Sequence, residues 1–325
     1  MKRRTVCRAL ALLPLTFGTH AAAQGNLYRI AWVTTERKDV PSANFDAFRA
    51  GLRERGIVEG RDATVDVWSG EGTEARIETM TPDILRSRPD VVVAAGGLAL
   101  FGLLKAGAHV PTVFSISADP VEAKIVDSFA HPGGNLTGIS LFTLALVGKR
   151  LELVKEVLPQ AKRVALIANP QHPGERNELA AASDAASKVG LTVRYFPVAN
   201  EAQVDAALAD IARARDDAIV AFADGFTMGF AGRIAQFSMK ERIPAIDGWA
   251  PFAYAGNLMI YGPVIDDVYR RLAEYVDKIR KGARPGDLPI ELPTKVQLVV
   301  NARAAKALGI VLPASVLSRA DEVIR

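Results

Sequence analysis

Cysteine is all but missing from this 325-residue chain: Cys7 is the single one, and it stands close to the N-terminus. One thiol cannot close a disulfide within the chain or supply a cysteine-based metal site. Histidine is nearly as scarce: besides His20 near the N-terminus, His109, His131 and His172 stand in three separate segments, each reading as a surface or turn residue without a role. No apolar run reaches the roughly 20 residues that a transmembrane helix needs. Recognisable catalytic and phosphate-binding motifs are missing too. No G-x-G-x-x-G follows the first strand pattern, where Thr34-Thr35-Glu36-Arg37 stands instead, and there is no G-x-x-x-x-G-K-[ST], G-x-S-x-G or H-E-x-x-H. These absences leave no seat for a dinucleotide and no nucleophile elbow or zinc helix. We therefore expect neither a cofactor nor a metal, and a binding protein before an enzyme.

Excess positive charge is also lacking once its location is considered. The formal net charge of +4 is matched by the four bases Lys2, Arg3, Arg4 and Arg8, all at the extreme N-terminus. The rest of the chain is balanced and carries no footprint for phosphate backbones, so nucleic acid is not an expected partner. Those bases do have a reading of their own. They precede an apolar run from Ala9 to Phe17 and the small-residue string Ala21-Ala22-Ala23-Gln24, the order of a secretory signal peptide. Residues 1–23 are expected to be removed on export to the periplasm. Cys7 lies ahead of most of the apolar run, where no lipid anchor would be attached, so the mature protein is expected free of the membrane and monomeric.

What is present is a regular alternation. Strand-like runs at Arg29–Val33, Ala63–Trp68, Asp90–Ala95 and Val110–Ile116 are separated by helical patterns, the first starting near Ser42 with Phe45, Phe48 and Leu52 on one face. The run Val91-Val92-Val93-Ala94-Ala95 is apolar on both faces, as in a parallel sheet covered by helices. A turn-rich break, His131 to Gly138, interrupts the pattern, and a second series follows with strands at Arg163–Ala168, Leu191–Pro197, Asp217–Phe222 and Ile243–Asp247. Two β/α series predict an α/β fold of two doubly wound, Rossmann-like domains joined by several crossings, a hinged clamshell. The expected partition is residues 26–139 plus 252–288 for the first lobe and 140–251 plus 289–325 for the second, with hinges near Gly138 and Pro251.

Open α/β sheets bind ligands outside the carboxyl ends of their strands. In the first lobe those loops hold Thr34, Thr35, Gly96, Gly97, Ser115, Ser117 and Asp119. Gly96 and Gly97 open a helix whose N-terminus suits a carboxylate, or they form a plain tight turn. Asp119 before Pro120 also fits a helix N-cap. In the second lobe the loops hold Asn169, Asp224 and the Asp247-Gly248-Trp249 stretch. Asp224 suits a ligand ammonium or hydroxyl, or a turn beside a glycine. Phe226, Phe230, Trp249, Phe252, Tyr254 and Tyr261 concentrate aromatics near these strand ends, and Trp249 with Tyr261 is expected to cover the flat part of a ligand.

Several stretches in one order resemble the type I substrate-binding proteins of ABC transporters, in the branch that includes tryptophan-binding receptors. They are Phe48-Arg49-Ala50-Gly51-Leu52-Arg53, Asp119-Pro120-Val121, Pro132 to Gly138, Gly148 to Leu153, Tyr261-Gly262-Pro263, Tyr275 to Ile279, Pro293-Thr294-Lys295 and Ala304 to Gly309. The resemblance implies a type I periplasmic binding fold, a small organic ligand between the lobes, and a permease and ATPase as partners. A sensor-coupled binding protein and a periplasmic enzyme remain the alternatives. The sequence departs from the family at Thr34 to Lys38, Ala118 and Ile260, so the ligand's identity does not transfer.

Overall fold

The computed structural model describes residues 27–38, 42–141, 144–172 and 174–325, so the expected signal segment lies outside the described residues. In chain order, the first series runs β1 (Tyr28–Thr34), α1 (Ala43–Glu54), β2 (Ala63–Ser69), α2 (Glu74–Arg86), β3 (Val91–Ala95), α3 (Gly97–Lys105), β4 (Thr112–Ile116) and β5 (Leu136–Ser140). These strands form one parallel sheet in the order β2-β1-β3-β4-β5. The second series runs α4 (Leu144–Val157), β6 (Arg163–Ala168), α5 (Glu175–Lys188), β7 (Thr192–Pro197), α6 (Glu201–Ala214), β8 (Ala218–Ala221), α7 (Gly225–Met228), α8 (Ala231–Glu241), β9 (Ala245–Asp247), α9 (Ala250–Tyr254) and β10 (Met259–Pro263). After it come α10 (Ile265–Arg280), β11 (Val296–Asn301), α11 (Ala302–Leu308), α12 (Ala314–Arg319) and β12 (Glu322–Ile324). The second sheet has the order β12-β11-β10-β9-β8-β6-β7, with β10 and β11 the one antiparallel pair among its pairings. The short β12 and the antiparallel return were not visible in the sequence pattern.

Local chemistry explains the elements. Ser42 caps α1, its hydroxyl accepting the Phe45 amide at 3.0 Å, and Ala47, Phe48, Gly51 and Leu52 form the buried face. That face meets α10, whose Val268, Leu272 and Val276 join Trp32 and Phe48 in the first lobe's core. A Cβ at Gly51 would lie 2.5 Å from the Arg270 carbonyl oxygen, so any side chain there forces the two helices apart.

The chain crosses between lobes three times, and two crossings differ from expectation. Residues 252–263 belong to the second lobe: Met259 pairs with Ile246 and with Val300, and Phe252, Ala253 and Ile260 are buried with Ile167, Ile219 and Val299. The crossing therefore falls between β10 and α10, not near Pro251. Residues 289–291 stay with the first lobe, where Ile290 is buried beside Ile77, Leu100 and Phe114. A helix and a proline at Ala250-Pro251 resemble a hinge in sequence, but apolar burial decides the matter. At the base, the Ser140 amide donates to the Glu291 carbonyl at 2.9 Å and the Glu291 amide to the Gly138 carbonyl at 3.1 Å, tying the first and third crossings together.

Candidate ligand-binding cleft

Register brings the first lobe's strand ends side by side. Thr34 lies opposite both Ser69 and Ala95, and Ala95 opposite Ser115. Thr34 is buried, and its hydroxyl accepts the Glu36 amide at 3.0 Å; the Thr35 carbonyl accepts the Gly72 amide at 2.7 Å. Gly96 holds φ +104°, a conformation that favours glycine, and starts α3 with open space where a Cβ would stand. Its own amide is engaged with the Ser115 carbonyl at 3.0 Å, while Gly97 begins the helix with only the Phe101 ring near its Cβ position. Ser115 is buried and donates to the Tyr269 hydroxyl at 3.1 Å, and burial pushes that phenol up to about 12. It serves the core instead of facing a ligand. Asp119 acts as a cap, one oxygen accepting the amides of Val121 at 2.8 Å and Glu122 at 3.1 Å.

Beside Thr34 opens a cavity of about 470 Å³ walled by Trp32, Phe45, Val67, Ser42 and Glu36. The Trp32 and Phe45 rings stand 5.1 Å apart at a tilt. The sequence placed Trp32 and Phe45 only in strand and helix patterns, and gave no sign that they bound a space.

The second lobe's face is different in kind. Asn169 folds back to accept the Gln171 amide at 3.0 Å. Asp224 is buried and caps α7, accepting the Thr227 amide at 2.7 Å. Together with His172, Glu175, Glu178 and Phe222 these residues line a narrow crevice with no room for a water molecule. Burial lowers the His172 pKa and raises that of Asp224, and each partly offsets the other by attraction. Behind them Arg150 is 4% exposed; its Nε donates to the Tyr261 carbonyl at 2.9 Å and its Nη1 lies 3.8 Å from Glu178. Burial pushes the carboxyls of Glu178 and Asp247 up to about 7 against the lowering pull of Arg150. Asp247 accepts the Trp249 amide at 2.9 Å, fixing that residue as the N-cap of α9 with a half-buried ring. Tyr261 is half-buried on β10 and packs on the second lobe's core. Of the other aromatics singled out, Phe252 is core, Phe226 and Phe230 pair edge to face at 5.1 Å, and Tyr254 is exposed with its hydroxyl on Glu322.

The two faces touch. Ser117 Oγ and His172 Nε2 are 2.8 Å apart, and Asn177 hydrogen-bonds Glu122 across the same gap. His172 thus has a place in the cleft, contrary to the reading of an incidental surface histidine. Arg150, Glu175 and Glu178 also escaped notice. Their signal was available: Glu175, Glu178, Ala182 and Ala186 form the buried stripe of α5, so charged residues stand where apolar ones are expected.

Comparison with known proteins now adds a decisive observation, a match over residues 37–324 to the family described as ABC transporter substrate binding protein. The chain belongs to that family. A tyrosine-binding protein of Clostridioides difficile (strain R20291) is 22% identical over 261 residues, which is 80% of this chain and 75% of the relative. A conserved domain protein from Vibrio cholerae O1 biovar eltor str. N16961 is 27% identical with a TM-score of 0.82, covering 91% of this chain and 99% of that one. The ABC domain in complex with L-Trp from Streptococcus pneumonia is 23% identical with a TM-score of 0.84, covering 92% and 100%. The substrate-binding protein described here accordingly has the two-lobed fold of these structures and is a solute receptor. Family membership implies a small-molecule ligand, work outside the cytoplasmic membrane, and permease and ATPase partners. Among the described residues no helix is long and apolar enough to cross a membrane.

Proposed function

We propose that this protein is the monomeric periplasmic receptor of an ABC importer for an aromatic amino acid or a close aromatic carboxylate, captured between the lobes. The observation that carries the reading is the approach of strand-end loops from both sheets, sealed by the contact of Ser117 with His172. A ligand there meets fixed donors on one side and ionisable groups on the other. The amides opening α3 at Gly97 offer a carboxylate seat, where the helix N-terminus favours negative charge. Asp224 and its neighbours suit the ammonium. The ring belongs in the cavity against Phe45 and Val67, which has the volume usual for small-molecule sites, about 300 to 1,000 Å³. Trp249 and Tyr261 flank the second lobe's face. The names of two relatives, a tyrosine-binding protein and an L-Trp complex, agree with an aromatic amino acid. Export follows from the basic, apolar and Ala-rich N-terminus, and intact mass of the periplasmic form should begin near Gln24 without acyl chains.

Calorimetry against aromatic amino acids, aromatic acids, branched amino acids and sugars tests the ligand class. Saturable one-to-one binding of an aromatic amino acid is expected. Tight binding of a sugar with no response to any carboxylate would overturn it.

A further inference from the structure

We infer that His172 makes closure of the two lobes sensitive to acid: the closed form takes the neutral imidazole, and a proton on that ring favours the open form. The inference adds a control of binding to the proposed receptor and does not depend on which ligand the cleft takes.

Its basis is the place of the ring. His172 belongs to the turn between β6 and α5 in the second lobe, and its Nε2 lies 2.8 Å from Oγ of Ser117, which follows β4 in the first. A second contact across the same gap, from Asn177 on α5 to Glu122, brings the first lobe's 117–122 segment against this turn. Closing the lobes therefore takes the outer edge of the imidazole away from solvent, and opening them returns it. The inner side offers no hydration in exchange, because the crevice that His172 shares with Asn169, Glu175, Glu178 and Asp224 has no room for a water molecule. An imidazolium enclosed in this way loses solvation that a neutral ring needs far less.

The contact with Ser117 does not itself choose between the two forms. A hydroxyl accepts from an imidazolium or donates to a neutral ring, so the bond survives protonation. The surrounding charges decide. Asp224 and Glu175 are the carboxyls that attract a proton to His172. Asp224, however, caps α7 through the Thr227 amide at 2.7 Å, and burial favours its own neutral form. Glu178 and Asp247 are drawn to the buried Arg150, which adds a cation on the same side. From the first lobe, Glu122 receives the Asn177 side chain, and Asp119 holds the amides of Val121 and Glu122. Loss of hydration outweighs the attraction, and the His172 pKa lies below the ordinary 6.5. An imidazole facing water in the open form keeps a value of about 6.5. Affinity is thus full above about 6.5 and is lost as pH falls through that value, levelling off below the closed-form pKa. From about pH 7.5 to 5.5 the loss is several-fold, with a ceiling of about tenfold set by the open-form ring.

Two measurements test this. In the first, Glu122→Cys and Asn177→Cys are joined by a short bismaleimide, with Cys7 replaced by serine, so that the lobes stay closed without any ligand. Replacing His20, His109 and His131 by glutamine leaves His172 as the one imidazole, and its ring is titrated by NMR. It should titrate below 6.5, and a value at or above 6.5 would overturn the inference. In the second, calorimetric titrations with L-tyrosine at about pH 7.5 and 5.5 compare wild type with His172→Gln, whose side chain takes up no proton. Wild-type affinity should fall several-fold, whereas that of His172→Gln should change by less than about twofold. Equal falls in both proteins would also overturn it. Failure of every aromatic amino acid to bind wild type would remove the ligand reading, and the locked-form titration would still decide this inference. A His172→Gln protein that does not fold leaves the decision with the same titration.

Discussion

In the first lobe hydroxyls, the apolar side chains of Phe45 and Val67 and the charged groups of Glu36, Arg37, Lys38 and Asp46 border a cavity of about 470 Å³, whereas the matching crevice in the second lobe, bounded by His172, Glu175, Glu178 and Asp224, has no room for a water molecule. Both faces come from the same kind of β/α series, so the backbone does not cause the difference. Side chains do. One lobe has room for a ligand's body, and the other concentrates buried charge that a ligand's polar end can reach only when the lobes meet. On the proposed reading, capture falls to the first lobe and closure with charge recognition to the second.

The largest expected effect comes from removing the cation beneath the second face. Arg150→Ala leaves Glu178 and Asp247 buried without a counter-ion and should cost about 3 to 5 kcal/mol at pH 8, read by urea unfolding. If stability is unchanged, the charged wall is not held by Arg150. The same pair sets a pH dependence. Both carboxyls are raised to about 7 by burial, so between their unfolded values, 4.5 for Glu178 and 3.8 for Asp247, and about 7 the native state keeps protons that the unfolded chain has lost. Their contribution therefore falls as pH rises from about 4 to about 7 and levels off above, and Glu178→Gln should flatten that slope in denaturant titrations across the window.

Smaller effects separate the faces as binding surfaces. Phe45→Ala should weaken L-tyrosine by about tenfold or more, from lost ring contact and cavity wall, and by more than Trp249→Ala does. The reverse order by calorimetry would move the ring to the second lobe. The smallest change is expected at the seal. Ser117→Ala removes the partner of His172, so closure should lose about 1 kcal/mol and ligand affinity should drop about fivefold with the ring contacts untouched.

Much of the fold was legible because doubly wound sheets write themselves in apolar runs. Val91 to Ala95 is buried on both faces as its composition demanded, and Ser42 caps the helix its position predicted. The crossings were less legible, since residues 252–263 and 289–291 are assigned by which core buries Phe252, Ile260 and Ile290, a non-local fact. The site divided the same way. Strand ends could be named from the pattern: Thr34 borders the first lobe's cavity, Asp224 the second lobe's crevice, and Ser117 meets His172. What those residues do there depends on partners far away in sequence: Ser115 turns to Tyr269, and Ser117 turns to a histidine 55 positions later. Glu36 gave no signal in the sequence, because its hydrogen bonds with Ser69 and Asn44 are contacts that periodicity does not register.

The central claim is that one ligand is bound by both lobes and draws them together. Spin labels at Arg76→Cys on α2 and Ala209→Cys on α6, with Cys7 replaced by serine, report the distance between lobes directly by double electron–electron resonance. Saturating L-tyrosine, with binding confirmed by calorimetry, should shift the distribution toward a single short distance, as expected when a ligand prefers the closed form. An identical distribution with and without bound L-tyrosine would contradict the account.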